Sequence, residues 1–217
     1  MKNRFLIIIM AIFAVLTGSC SPQSTQVVQE AIPPTQSPTQ TLITYTPTPT
    51  KVPLSVLESA QQVIQTLRDR DMAGLAAFVH PELGLRFSPY PFVRAEDLVF
   101  GKQALPDLFS DETVYNWGNF DGSGEAIEMT FEAYFTRFVY SQDFAEPEVI
   151  GLNKEIGQGN SINNIPEFYP GADYVEYHFS GFDPQYEGMD WQSLRLVFIL
   201  EGSNYYLIGI VHAQWTI

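Results

Sequence analysis

LRLVFILEGSNYYLIGIVHAQWTI, residues 194–217, decides the fold. Two apolar runs rich in β-branched and aromatic residues, 194–200 and 205–217, flank Glu201-Gly202-Ser203-Asn204, a turn cluster of hairpin length. The pattern predicts a long antiparallel pair closing the chain. Upstream, residues 174–179 alternate, with Glu176 and His178 on the face opposite Val175, Tyr177 and Phe179. Residues 114–120 read as a further strand running into Asp121-Gly122-Ser123-Gly124, a second hairpin turn.

Ahead of these strands the apolar period changes from 2 to 3.6. Ser55 and Glu58 have capping-box spacing, and Leu57, Ala60, Ile64 and Leu67 form a stripe along a helix over 54–69. Asp71 caps a second helix that presents Met72, Leu75, Ala76 and Val79 and stops at Pro81. Thr130 caps a third, with Phe131, Tyr134, Phe135, Phe138 and Val139 at i, i+3, i+4, i+7 and i+8. A short helical turn fits 104–109. Helices first, one helix midway and strands to the end predict a single α+β domain over 54–217.

This order of elements resembles the NTF2-like (SnoaL-like) fold. The features that carry it are the paired opening helices, with LRDRDMAGL at 67–75, and the long closing hairpin. The resemblance implies a cone: a curved antiparallel sheet wrapped around about three helices. More locally, His80-Pro81-Glu82 with GLRFSPY at 84–90, and HAQWTI at 212–217, look like a group of bacterial secreted lipoprotein domains. The wider fold includes isomerases, dehydratases, hydrolases and non-catalytic binding modules, so it does not by itself fix the chemistry.

The 217 residues carry 11 Lys+Arg against 25 Asp+Glu, a net charge of −14. All the acidic residues except Glu30 fall in 54–217. An acidic surface argues against nucleic acid as a partner and against docking on anionic lipid through a basic patch. The single cysteine excludes an intrachain disulfide and a multi-thiolate metal cluster.

That cysteine, Cys20, has a telling position. Lys2 and Arg4 precede an unbroken apolar run over 5–16, and Thr17-Gly18-Ser19 then leads into Cys20. At 1.5 Å per residue the run is too short for a ~30 Å hydrocarbon slab, and it reads as the core of a secretory signal. It looks like a bacterial lipoprotein signal over 1–19, which implies diacylglyceryl transfer to the Cys20 thiol, palmitate-type acylation and an extracytoplasmic location on a membrane. Gly18 and Ser19 fit that pattern, whereas Thr17 stands where an aliphatic residue is usual, one place after Leu16. An ordinary cleaved signal with an incidental cysteine is the other reading. Residues 20–53 are dominated by Pro, Thr, Gln and Ser with no apolar period, a composition expected to form a disordered linker.

Within the domain, the acid–base candidates are Glu176, His178 and His212, with Arg195 to stabilise developing negative charge; they define a hydrolase or isomerase reading. The alternative is that the same groups form structural pairs or lie on a solvated sheet face. Neither G-x-S-x-G nor H-E-x-x-H is present, and the three histidines (80, 178 and 212) are widely spaced. Asn119, Asp121, Ser123 and Gly124 mimic half of a calcium loop, but Thr130 stands where the closing Glu belongs. We therefore expect no metal and no cofactor.

Aromatic residues are the domain's main resource. Arg86, Tyr90, Trp117, Trp191 and Trp215 are the candidate ligand-binding set, for a small molecule, a glycan or an envelope protein. Asn153, Asn160, Asn163 and Asn164 mark a loop that would rim a pocket mouth. The leading functional expectation is a lipid-anchored, non-catalytic binding module; homodimerisation through the outer sheet face is a third reading.

Overall fold

The computed structural model describes residues 53–216. The leader over 1–19, Cys20 and, except for Pro53, the 20–53 linker lie outside them.

The opening helix α1 (Val56–Arg68) starts on the expected capping box. The Ser55 hydroxyl accepts from Glu58 N–H at 3.3 Å, and the Glu58 carboxylate accepts from Ser55 N–H at 2.7 Å. Its buried stripe is Val56, Ala60, Val63, Ile64 and Leu67. Val56 and Val63 take the place expected of Leu57, which stands 46% exposed. The second helix α2 (Met72–Phe78) is capped by Asp71, whose carboxylate accepts from Gly74 N–H at 2.8 Å. A Cβ on Gly74 would sit 2.2 Å from that carboxylate, so only glycine leaves the cap its room.

A strand β1 (Leu85–Ser88) follows, then β2 (Val99–Phe100) and a 3₁₀ turn (Leu105–Asp107) where the short helical turn was expected. The hairpin β3 (Tyr115–Asn119) and β4 (Ala126–Met129) stands apart as its own two-stranded sheet. Thr130 caps α3 (Phe131–Tyr134), which widens into a π-helical turn over Phe135–Val139. The apolar positions expected of one helix stay buried through this change. The rest comprises β5 (Val149–Leu152), the short helix α4 (Ile165–Phe168), β6 (Asp173–Phe179), β7 (Gln192–Glu201) and β8 (Asn204–Gln214).

The main sheet has six strands in the order β2-β1-β8-β7-β6-β5. The expectation of a purely antiparallel sheet is corrected at one place, because β1 runs parallel to β8, Phe87 opposite Ile210. Almost the whole domain separates these strands in sequence, so no tight hairpin dictates their direction.

One face of the sheet packs on α1, α2 and α3 through Phe87, Val175, Tyr177, Leu194, Leu196, Phe198, Leu207 and Ile210. At its centre Trp117 stacks on Tyr134 with ring centroids 3.8 Å apart, and Phe87 meets Phe131 edge-on at 5.6 Å. The other face is also covered. Val197, Ile208, Val211 and Tyr174 pack with Val93, Ile165, Phe168 and Tyr169, which makes this part of the face a second, smaller core.

Candidate functional site

The sequence-predicted acid–base residues split across the sheet. On the face away from α1, the registers Glu176 opposite Arg195 and His178 opposite Ser193 bring four polar side chains together. Glu176 Oε1 accepts from Ser193 Oγ at 2.7 Å and Gly157 N–H at 2.8 Å, while Oε2 accepts from Arg195 Nε at 2.9 Å and Ile156 N–H at 3.1 Å. Arg195 also donates from Nη2 to the Gly157 carbonyl at 2.9 Å and to Glu155 at 3.2 Å. The His178 Nδ1 atom lies 2.8 Å from Ser193 Oγ.

Glu176, Ser193 and Arg195 have no exposed surface, and His178 retains 7%. Burial pushes the His178 imidazole below its ordinary value, with Glu176 and Glu148 opposing it. These contacts fasten residues 155–157 onto the sheet like a strap. Gly157 makes the fit possible, because a Cβ there would lie 2.4 Å from the Trp191 ring. Trp191 and Trp215 flank the strap at Gly159, so both tryptophans seal it down.

This cluster is poorly arranged for catalysis. In a nucleophilic triad the histidine stands between serine and carboxylate and takes the serine proton. Here Ser193 stands in the middle and gives its proton to Glu176. Every lone pair that Glu176 could offer a substrate is engaged. Arg195, cast as a stabiliser of reaction charge, is held by two carboxylates and a carbonyl through Nε and Nη2, its Nη1 being buried without a partner among the described residues.

His212 does not join them. It pairs across from Leu194 on the helix-facing side and meets the Phe138 ring edge-on at 5.7 Å. Its Nε2 atom lies 3.1 Å from Gln214 Oε1, and burial depresses its pKa to about 4. A β-bulge is the reason. Val197 opposes Gly209 and Phe198 opposes Leu207, leaving Ile208 as an extra residue, and everything beyond it on β8 changes face. The third histidine, His80, accepts at Nδ1 from the N–H groups of Glu82 and Leu83, and its Nε2 lies 3.3 Å from Glu201. Among the described residues no group of three His, Cys, Asp or Glu side chains is arranged to hold a metal. Asn119 and Asp121, the start of the calcium-like pattern, have structural partners: Asn119 Nδ2 donates to the Gly124 carbonyl within the hairpin, and Asp121 accepts from Ser161 Oγ, tying the hairpin to the segment beyond the strap.

The predicted ligand-binding set is dispersed as well. Arg86 Nη1 donates to the carbonyls of Arg94, Ala95 and Asp97 at 3.0, 3.0 and 2.6 Å, clamping the loop between β1 and β2. Trp117 is core, its Nε1 donating to the Met129 carbonyl at 2.9 Å. Trp191 and Trp215 belong to the strap. Of the rim asparagines, Asn164 bonds both backbone groups of Val93, Asn160 donates to the Thr216 carbonyl, and Asn153 bonds Tyr174 N–H and Asp173.

Two members of the set, Tyr90 and Trp117, do meet. They line a half-open cavity of about 320 Å³ between the 89–97 loop and the β3–β4 hairpin, with Phe92, Arg94, Asp97, Phe120, Asp121 and Ser161 among the other walls. Asp97 is the telling residue and was not singled out from sequence. It is only 8% exposed, and its Oδ2 accepts from both Ser88 Oγ at 2.5 Å and Arg94 N–H at 2.9 Å. Among the described residues its Oδ1 has no hydrogen-bond partner. Burial raises its pKa above the usual carboxylate range against the pull of those bonds, Arg86 and Arg94. Its cue in sequence is faint, since Ser88 and Asp97 lie nine apart and meet only when β1 and β2 pair.

A larger groove of about 460 Å³ runs between α1 and the β7–β8 turn, past Phe78, Tyr205 and Tyr206, but among the described residues no charged side chain lines it. Compared with family models, with curated proteins and with solved structures, the chain matches none.

Proposed function

We propose that this chain is a lipid-anchored, extracytoplasmic binding module without catalytic activity, whose ligand seat is the cavity above Asp97. The observation that carries this reading is the contrast in availability. Glu176 is sealed and accepts four hydrogen bonds, whereas Asp97 lines a cavity open to solvent with only its Oδ2 engaged, beside aromatic walls. Small-molecule sites combine these same ingredients, apolar surface with a few convergent polar groups. The NTF2-like cone is part of the proposal, supported by opening helices packed in one face of a six-stranded sheet that closes on its longest strands. The anchor rests on the Cys20 leader, and acyl chains at about 0.8 kcal/mol per buried CH₂ would hold the protein on a membrane.

Two experiments test it. Mass spectrometry of the mature N-terminus should find residue 20 first and carrying lipid; an unmodified Cys20 removes the anchor. For binding, full-length protein is melted with soluble envelope constituents. A true ligand at about 100 times its Kd adds about 2.7 kcal/mol of stability. No stabilisation by any of them, or equal stabilisation of a cavity-plugged Ser161→Trp variant, contradicts the seat.

A further inference from the structure

We infer that the cavity takes a neutral saccharide, with Asp97 Oδ1 as the acceptor for a ring hydroxyl. This rests on the proposed binding role of the same cavity and names the ligand's chemical class.

The polar groups on the walls have mixed sign. The Asp97 carboxylate lies among the positive charges of Arg94 and Arg86, both close enough to pull its pKa down, and Asp121 lies across the opening. A cationic ligand would meet the Arg94 guanidinium and an anionic one the carboxylates of Asp97 and Asp121. A polyol escapes both penalties, because each hydroxyl donates and accepts and can satisfy a carboxylate and a guanidinium side by side.

Asp97 is built for this use. Ser88 and Arg94 N–H both bond its Oδ2, which fixes the carboxylate plane and leaves Oδ1 the freer atom. A desolvated carboxylate rewards a hydroxyl donor more than an exposed one does. On the rim, the Tyr90 hydroxyl accepts from Asp121 N–H at 3.1 Å, so its own proton remains to be given.

The apolar walls suit the other face of a sugar. Phe92 is 48% exposed at the cavity, a large aromatic surface with no packing partner of its own cluster, and Tyr90 and Phe120 stand with it. Rings of this kind cover the C–H face of a pyranose while polar groups take its hydroxyls. At about 320 Å³ the volume is at the small end for ligand pockets, matching a short saccharide or the end of a longer glycan.

The test uses full-length protein in a polyoxyethylene detergent, which contributes no sugar. The probes are glucose, galactose, N-acetylglucosamine, maltose and chitobiose, read by saturation-transfer NMR and by titration of the aromatic signals. At least one should bind saturably. Asp97→Asn keeps an oxygen for Ser88 and Arg94 N–H but turns the free acceptor into a donor. It should weaken that sugar about tenfold or more, the value of a charge-assisted hydrogen bond, with the melting curve preserved. Phe92→Ala, which touches no hydrogen bond, should weaken the same sugar independently. Binding unaffected by both variants, or tighter binding of glucosamine or glucuronate than of every neutral sugar, overturns the inference. If uncharged aromatic amides shift the Tyr90 and Phe92 signals while no saccharide does, the seat stands and the saccharide falls. If neither binds, both fall.

Discussion

Glu176 and Asp97 are both carboxylates buried against the same side of one sheet, and they have opposite fates. Glu176 receives four hydrogen bonds from Ser193, Arg195, Ile156 and Gly157 and has no exposed surface. Asp97 receives two, both on one oxygen, and opens on a cavity. Burial is therefore a poor guide to function by itself; what matters is whether a lone pair is left over after the fold has been satisfied. The two regions are also connected. The strap that Glu176 holds continues to Ser161, whose hydroxyl donates to Asp121 on the cavity wall at 3.1 Å.

The largest effect should come from breaking the sealed side. Glu176→Ala leaves the Arg195 guanidinium buried without its main counter-charge and should cost about 3–5 kcal/mol in urea denaturation. A loss below about 1 kcal/mol would mean the strap is not what holds that face.

His212 comes next. Its pKa of about 4 in the folded protein lies below its unfolded value of 6.5, so the unfolded chain takes up a proton that the folded state refuses. Stability should be fully present above pH 6.5 and fall as pH drops towards 4, by about 3 kcal/mol across that window. Carboxylates titrate over part of the same range, so the difference between wild type and His212→Gln isolates the effect: the variant should show a flatter acid limb. Identical limbs would show that His212 is accessible to protons in the folded state.

Gly157→Ala should cost about 1–3 kcal/mol by forcing a methyl group against Trp191 and Ser193 Oγ, the nearest atoms being 2.4 and 2.7 Å away. On the open side the effects on stability should be small. Asp97→Asn retains its two accepted bonds and escapes the desolvation of a charge, so it should shift stability by about 1 kcal/mol or less. Phe92→Ala should change it by about 0.5 kcal/mol or less. A large loss for either would recast the cavity as a structural element.

Much of the local structure was legible because it rests on short-range chemistry. Ser55 with Glu58, Asp71 and Thr130 announced three helix starts, and the alternation around Glu176 correctly separated it from Val175 and Tyr177. Two non-local facts were not legible. The bulge at Ile208 inverts the faces along the end of β8, so counting by twos from Leu207 would put His212 with Glu176 when it lies on the opposite side. The loop marked by Asn153, Asn160, Asn163 and Asn164 was expected to rim a pocket mouth, yet its backbone, with Ile165, Phe168 and Tyr169 after it, packs on the second face of the sheet and turns part of an expected solvated surface into core. The cavity was illegible for a similar reason. Asp97 acquires its meaning from Ser88 across the β1–β2 turn and from a hairpin some twenty residues further on.

The most direct measurement is a chemical-shift map of the isotope-labelled full-length protein titrated with a small-molecule fragment set. The account predicts saturable shifts at Tyr90, Phe92, Asp97 and Asn119 through Gly124, with Glu176, Ser193 and Arg195 unmoved. Shifts centred on Glu176, His178 and Ser193, with a silent cavity, would contradict it.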